Sequence, residues 1–226
     1  TDDNFATIEA AIEEGRGVFD NLTKFIVWTL PTNIGEGLVI LAAIFAGTAL
    51  PILPVQILWI NMTTAVLLGL MLAFEPKEPD IMQRPPRDPR TPLLTGELIG
   101  RILLVSLILL VGAFGSFEWA LVVRARAPRG AEWALGKGAS DAYARTVAVN
   151  VFVMAEVFYL FNCRSLSKSM FQLGVFSNPW IWVGVASMVG LQWLFTYAPF
   201  MNRMFHSVPI GLAAWFIGLL RRVPYI

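Results

Sequence analysis

The sequence predicts an all-α membrane protein, a bundle of six transmembrane helices entered through a helical cytoplasmic N-terminal stalk. Three observations predict it. Of the 226 residues, 56% are hydrophobic and only 15% are charged, whereas soluble domains average about 45–50% apolar and about 25% charged. Six stretches approach the roughly 20 apolar residues needed to cross a ~30 Å hydrocarbon core. The breaks between them are rich in proline and charge. Eight Trp and sixteen Phe suit a chain that meets lipid and its interfaces. A net charge of +1 gives no argument for nucleic acid or for an acidic partner. One cysteine rules out an internal disulfide framework. The first twenty residues are charged and amphipathic, unlike a signal peptide, and the chain begins with Thr, so it reads as a piece of something longer.

Taken in order, the spans fall at about 24–47, 54–74, 98–123, 143–162, 178–198 and 205–222. Residues 1–23 precede the first span, and 24–226 hold the six spans of the membrane domain. "LPILP" (50–54) separates the first two spans as a tight proline turn. "EPKEPDIMQRPPRDPRTP" (75–92) is a charged, proline-rich loop, and 124–145 is a longer polar one. "RSLSKSMFQLGVFSNP" (164–179) and "APFMNRMFHSVP" (198–209) complete the set. With the N-terminus inside, Lys and Arg divide eleven inside against six outside, which predicts that both termini are cytoplasmic.

The informative residues are the polar ones inside the spans. Of sixteen Asp and Glu, only Glu36 and Glu156 lie well inside; Glu118 sits near a span end and reaches the interface. A charge at mid-membrane costs roughly 2.5–3.5 kcal/mol on insertion scales. No Lys or Arg lies deep in a span to pair with them. Protonation, hydrogen bonds from neighbouring helices, or a bound cation remain as compensation. The neighbours favour the cation. Asn33 and Glu36 are i, i+3 and share a helical face. Pro31 deprives the Val27 carbonyl of its helical partner, and Gly35 and Gly37 thin the helix for close approach. In "LWINMTTAVLLG", Asn61 and Thr64 repeat the i, i+3 spacing beside Thr63. Carboxylate, amide and hydroxyl oxygens converging from several helices make a site for a hard cation, and a disturbed helix at membrane depth fits such a site. Cys163 reads as a free thiol, His206 as an interfacial residue, and Trp180, Trp182, Trp193 and Trp215 as packing or interfacial anchors. "RPPRDPR" reads as a cytoplasmic docking loop.

Several segments together resemble a known family. "DDNFATIEAAIEEGRGVFDNLTKFI", "TNIGE", "LPVQILWIN" and "EPKEPDIMQRPPR" are similar to the C-terminal part of P-type cation-transporting ATPases, of the calcium- and sodium-pump type and its bacterial relatives. "TVAVNVFVMAEVFYLFN" extends the likeness toward the C-terminus. The resemblance implies that the six spans are family helices five to ten, and that residues 1–23 end the phosphorylation domain and enter the stalk. It implies ion-ligating roles for Asn33, Glu36, Asn61, Thr64 and Glu156, and a coupling role for the loop 75–92. Pro31, Gly35, Gly37, Thr63 and Ala65 are expected to shape or gate that site. Ala65 is a departure: the calcium pumps place an Asp after the second-helix Thr, and "NMTTA" has none. Calcium is the default ion, and the missing carboxylate favours one divalent ion, or monovalent ions, over two Ca²⁺.

The resemblance further implies an integral, multi-pass protein of a prokaryotic plasma membrane. Its partners would be the lipid bilayer and the remaining membrane helices and cytoplasmic domains of the same pump. Mg-ATP would act only through those missing domains. D-K-T-G-T, T-G-E-S and Walker-type motifs do not occur in these 226 residues, so this chain alone is expected not to hydrolyse ATP. Motion of the stalk would shift Glu36 against Asn61 and Thr64, and proton uptake by Glu36 and Glu156 on ion release would give countertransport. Two rival readings are an ATP-independent secondary cation transporter or channel, for which no inverted repeat is visible, and a non-catalytic membrane module.

Overall fold

Helices supply the regular structure of the computed structural model, which describes residues 5–88, 90, 92–125, 136–165, 170–211 and 215, and no strand occurs among them. Helix α1 runs Phe5–Ala46, 42 residues with Pro31 in its interior. The charged part before residue 24 and the apolar part after it form one unbroken helix rather than two elements. Helix α2 (Pro54–Leu67) starts on Pro54, whose missing N–H costs nothing in a first turn. The Gln56 side chain reaches back to accept the Leu53 N–H at 3.0 Å.

Helix α2 then tightens into a 3-10 segment, Gly69–Phe74, so the span expected at 54–74 is two kinds of helix in series. Gly69 stands at that junction because a Cβ there would lie 2.8 Å from the Phe25 ring and 2.9 Å from Trp28. Helix α3 is Gly96–Ala125 and α4 is Gly136–Cys163. A short α5 (Met170–Leu173) precedes α6 (Pro179–Tyr197), which Asn178 caps by accepting the Trp180 N–H at 3.0 Å. Pro199 starts α7 (Pro199–Phe205) at an 81° bend from α6. The carbonyl of Phe195, deprived of a helical N–H by Pro199, accepts instead from Ser207 Oγ at 2.6 Å and Asn202 Nδ2 at 3.1 Å.

The chain is thus an integral membrane protein by length and composition of its helices. Four are long and apolar enough to cross a membrane, counting α2 with its 3-10 extension, and α6 with α7 makes a fifth if the bent pair is one span. The sixth expected span, 205–222, falls mostly outside the described residues; those described at 205–211 end α7, turn and run on without helix. Helix α4 is central and largely buried, whereas α3 leaves most of its surface exposed. Trp28, Ile60, Leu68, Phe117, Phe152, Leu160 and Phe195 form the core between them.

Candidate cation site

The two intramembrane carboxylates come from α1 and α4. Glu36 is 3% exposed and Glu156 is 1% exposed. Helix α2 runs between their demands. Asn61 Nδ2 donates to Glu36 Oε2 at 2.5 Å, and the Thr64 side chain lies beside the Glu156 carboxyl. Among the described residues, Glu36 Oε1 and Glu156 Oε2 are buried with no hydrogen-bond partner. A buried acceptor in that condition costs several kcal/mol unless something fills its lone pairs. Three helices therefore contribute two carboxylates, an amide and a hydroxyl to one region. The described residues hold no group of three or more His, Cys, Asp or Glu placed to bind a metal ion, so a cation at Glu36 and Glu156 would draw on these two carboxylates and neutral oxygens.

The remaining expected residues divide. Asn33 is exposed although it is i, i+3 to Glu36. Three residues turn a helix by about 300°, so the two side chains diverge by about 60°, and the edge of the buried stripe falls between them. Thr63 is buried but turns its hydroxyl back to the Trp59 and Ile60 carbonyls, at 2.8 and 3.2 Å, and so supports α2. Ala65 is half-buried and brings no polar side-chain atom. Gly35 does admit a close neighbour: an added Cβ would meet Leu109 at 3.0 Å. Gly37 does not, with nothing within 4 Å of such a Cβ.

Pro31 has the expected effect with an unexpected resolution. The Val27 carbonyl accepts from the Tyr159 hydroxyl of α4 at 3.0 Å. The Pro31 carbonyl is met by Ser106 Oγ of α3 at 3.0 Å. Trp28 Nε1 donates to the Glu156 carbonyl at 3.2 Å. Thr29, one turn before Asn33, has a buried hydroxyl with no partner among the described residues, a site candidate that spacing did not single out.

Two further polar groups escaped the sequence reading. At one end of the bundle Arg164, fully buried, donates Nε to Glu75 Oε1 at 2.6 Å and NH2 to Ser177 Oγ at 2.6 Å. Glu78 takes the Ser165 hydroxyl at 2.9 Å and Arg84 at 3.2 Å, with Lys24 at 3.9 Å. Arg84 also pairs with Asp20 at 2.7 Å, and Arg16 donates to the Ile81 and Arg84 carbonyls. The first half of the proline-rich loop is therefore strapped to α1 and to the segment after α4, with Arg87 over the Phe19 ring at 4.5 Å. Lys77 is held above the usual lysine range by its hydrogen bond to Glu14, reinforced by Glu13. In the other half of the bundle Asn150, Thr196, Gln192 and Trp59 link α2, α4 and α6. Glu118 is exposed and Cys163 is a free, buried thiol, as expected.

The profile of the family described as "Cation transporting ATPase, C-terminus" matches residues 49–226. A protein of Mycobacterium tuberculosis named "Probable cation-transporting ATPase F" is 60% identical over 215 residues, 95% of this chain and 22% of that protein. "Cation-transporting ATPase pma1" of Synechocystis is 40% identical over 233 residues, covering 100% of this chain and 24% of the relative. A "Calcium-transporting ATPase" of Bacillus subtilis is 34% identical over 216 residues, 96% of this chain and 23% of that protein. The chain spans less than a quarter of the length of these relatives.

Proposed function

The chain belongs to the cation-transporting ATPase family, as part of its C-terminal membrane region, and on that premise we propose that it carries the ion-binding site of an ATP-driven cation pump. The observation that carries the reading is the pair Glu36 and Glu156, each buried with a carboxylate oxygen that no described residue satisfies, and each faced by one oxygen-bearing residue of α2. Glu36, Asn61, Thr64 and Glu156 are the proposed ligands. Asn33 joins them if the pump's other membrane helices cover the face of α1 that is exposed in this chain.

The transported ion is a hard cation. Calcium is the first choice, supported by the name of the Bacillus relative and by the preference of Ca²⁺ for six to eight oxygens. Ala65 supplies no oxygen where the calcium pumps carry an Asp, so the site holds one divalent ion or monovalent ions. The chain crosses the membrane six times with both ends in the cytoplasm of a prokaryote, and residues before 24 form the stalk. Phosphorylation and ATP hydrolysis belong to cytoplasmic domains elsewhere in the pump, and Mg-ATP acts through them. Movement of α1 would change the spacing of Glu36 against Asn61, and with it the affinity and side of access. Glu36 and Glu156 take up protons when the ion leaves.

In the intact pump, Glu36→Gln should weaken ion-stimulated phosphorylation from ATP by tenfold or more in half-saturating ion, on the order of the loss of one charged ligand. Unchanged ion dependence would remove Glu36 from the site. A Hill coefficient near two for Ca²⁺ would contradict the single-ion reading.

A further inference from the structure

We propose that Tyr159 is a positioning residue of the cation site, its hydroxyl standing in for the amide that Pro31 lacks and so fixing where α1 presents Glu36. The inference rests on the cation-site reading above.

A proline in a helix interior leaves the carbonyl four residues earlier without its N–H. In lipid there is no water to replace it, so the bond must come from a neighbouring helix. Val27 is fully buried, and its carbonyl has the Tyr159 hydroxyl at 3.0 Å. Tyr159 is itself held. It is 8% exposed, its ring lies under the Arg101 guanidinium at 5.6 Å, and the Cys163 thiol borders its hydroxyl.

Tyr159 also stands three residues after Glu156 on α4, less than one helical turn away. The next residue of α1, Trp28, donates Nε1 to the Glu156 carbonyl at 3.2 Å. Two consecutive residues of α1 are thus tied to the turn of α4 that bears the second carboxylate. On the far side of the proline, Ser106 Oγ is 3.0 Å from the Pro31 carbonyl and 2.9 Å from its own helical acceptor, Ile102. Glu36 follows Pro31 by five residues, about 7.5 Å along the axis. Only about 1.4 helical turns separate them, so a shift of the Val27–Pro31 segment is passed on to Glu36, and its register against Glu156 depends on Tyr159.

The test uses the full-length pump in proteoliposomes, with phosphorylation from ATP followed against Ca²⁺ and, in a parallel series, Na⁺. Tyr159→Phe keeps the ring and removes the hydrogen bond. It should raise the half-saturating concentration of the stimulating ion roughly three- to tenfold, the range for the net worth of one hydrogen bond, with maximal phosphorylation unchanged. Pro31→Ala restores an N–H to the Val27 carbonyl. In that background Tyr159→Phe should change the half-saturating concentration by less than about twofold, because coupling appears when two residues serve one acceptor. An equal penalty in both backgrounds, or none in either, overturns the proposal, since a tyrosine that only packs would not distinguish Pro31 from Ala. Glu36→Gln run beside them separates the two levels. If it leaves the ion dependence unchanged, the site reading falls and the proposal with it; if it shifts that dependence while Pro31→Ala gives no rescue, the proposal alone falls.

Discussion

Gly184→Ala tests the contact between α2 and α6. An ideal Cβ on Gly184 would lie 2.0 Å from the Leu67 carbonyl oxygen, 3.2 Å from its carbon and 2.7 Å from Met71 Cγ. Met71 can rotate away, but Leu67 presents backbone. The helices must therefore separate by about 1 Å to restore an ordinary contact. Overpacking that side chains cannot relieve costs typically 1–3 kcal/mol, and a backbone obstacle places this one at about 3 kcal/mol, roughly a hundredfold in the folding equilibrium. The damage should also reach the site, because Thr64 is one turn before Leu67 and the Leu68 N–H closes on the Thr64 carbonyl at 2.8 Å. The measurement is equilibrium unfolding of the intact pump in mixed micelles titrated with SDS, beside its Ca²⁺ dependence. Gly37→Ala serves as the control: nothing lies within 4 Å of its Cβ, so it should gain up to about 1 kcal/mol of helix propensity. If Gly184→Ala unfolds at the wild-type midpoint, the close approach of α6 to α2 is wrong.

Arg164→Met should cost about 3–5 kcal/mol in the same titration, because it leaves the buried Glu75 carboxylate with Asn178 as its remaining hydrogen-bond donor among the described residues. Adding Glu75→Gln should recover at least half of that loss, and failure to recover would show that Arg164 acts through the Gly174 and Val175 carbonyls instead. Asn61→Ala and Asn33→Ala should part company. Asn61→Ala removes the hydrogen-bond donor at Glu36 and should cost about 1–3 kcal/mol, whereas Asn33→Ala, on an exposed position, should stay within about 0.5 kcal/mol. Loss of ion affinity in Asn33→Ala at unchanged stability would show that the rest of the pump brings Asn33 into the site.

What the sequence could reveal was set by composition and local spacing. Prolines and charges marked where helices begin, and Glu36 and Glu156 stood out because a carboxylate in an apolar run is costly wherever the run packs. The rotation of each helix was not legible. Asn33 and Glu36 satisfy an i, i+3 rule equally well whether both or only one faces inward, and packing against α2 and α4 decided for Glu36. Gly37 looked like a close-approach residue and is open, while Gly184, unremarkable in its surroundings, is where two helices meet. The partners of Val27 and Glu75 are 132 and 89 residues away, at a distance where no periodicity links donor to acceptor. The span count depended on length alone, so it could not foresee that the second span changes helix type at Gly69.

The unbroken course of α1 has a mechanical consequence. Its 42 residues extend about 63 Å, twice the hydrocarbon thickness. Measured from Pro31, the arm toward Phe5 is about 39 Å and the arm to Glu36 about 7.5 Å. A rod pivoting at the proline would therefore reduce displacement about fivefold between its outer end and the carboxylate, and multiply force by the same ratio. A 5 Å swing of the charged end becomes about 1 Å at Glu36. Calcium–oxygen distances occupy a window of about 0.3 Å, so in the proposed site that small stroke would be enough to take Glu36 out of contact with a bound Ca²⁺ while the surrounding bundle stays packed.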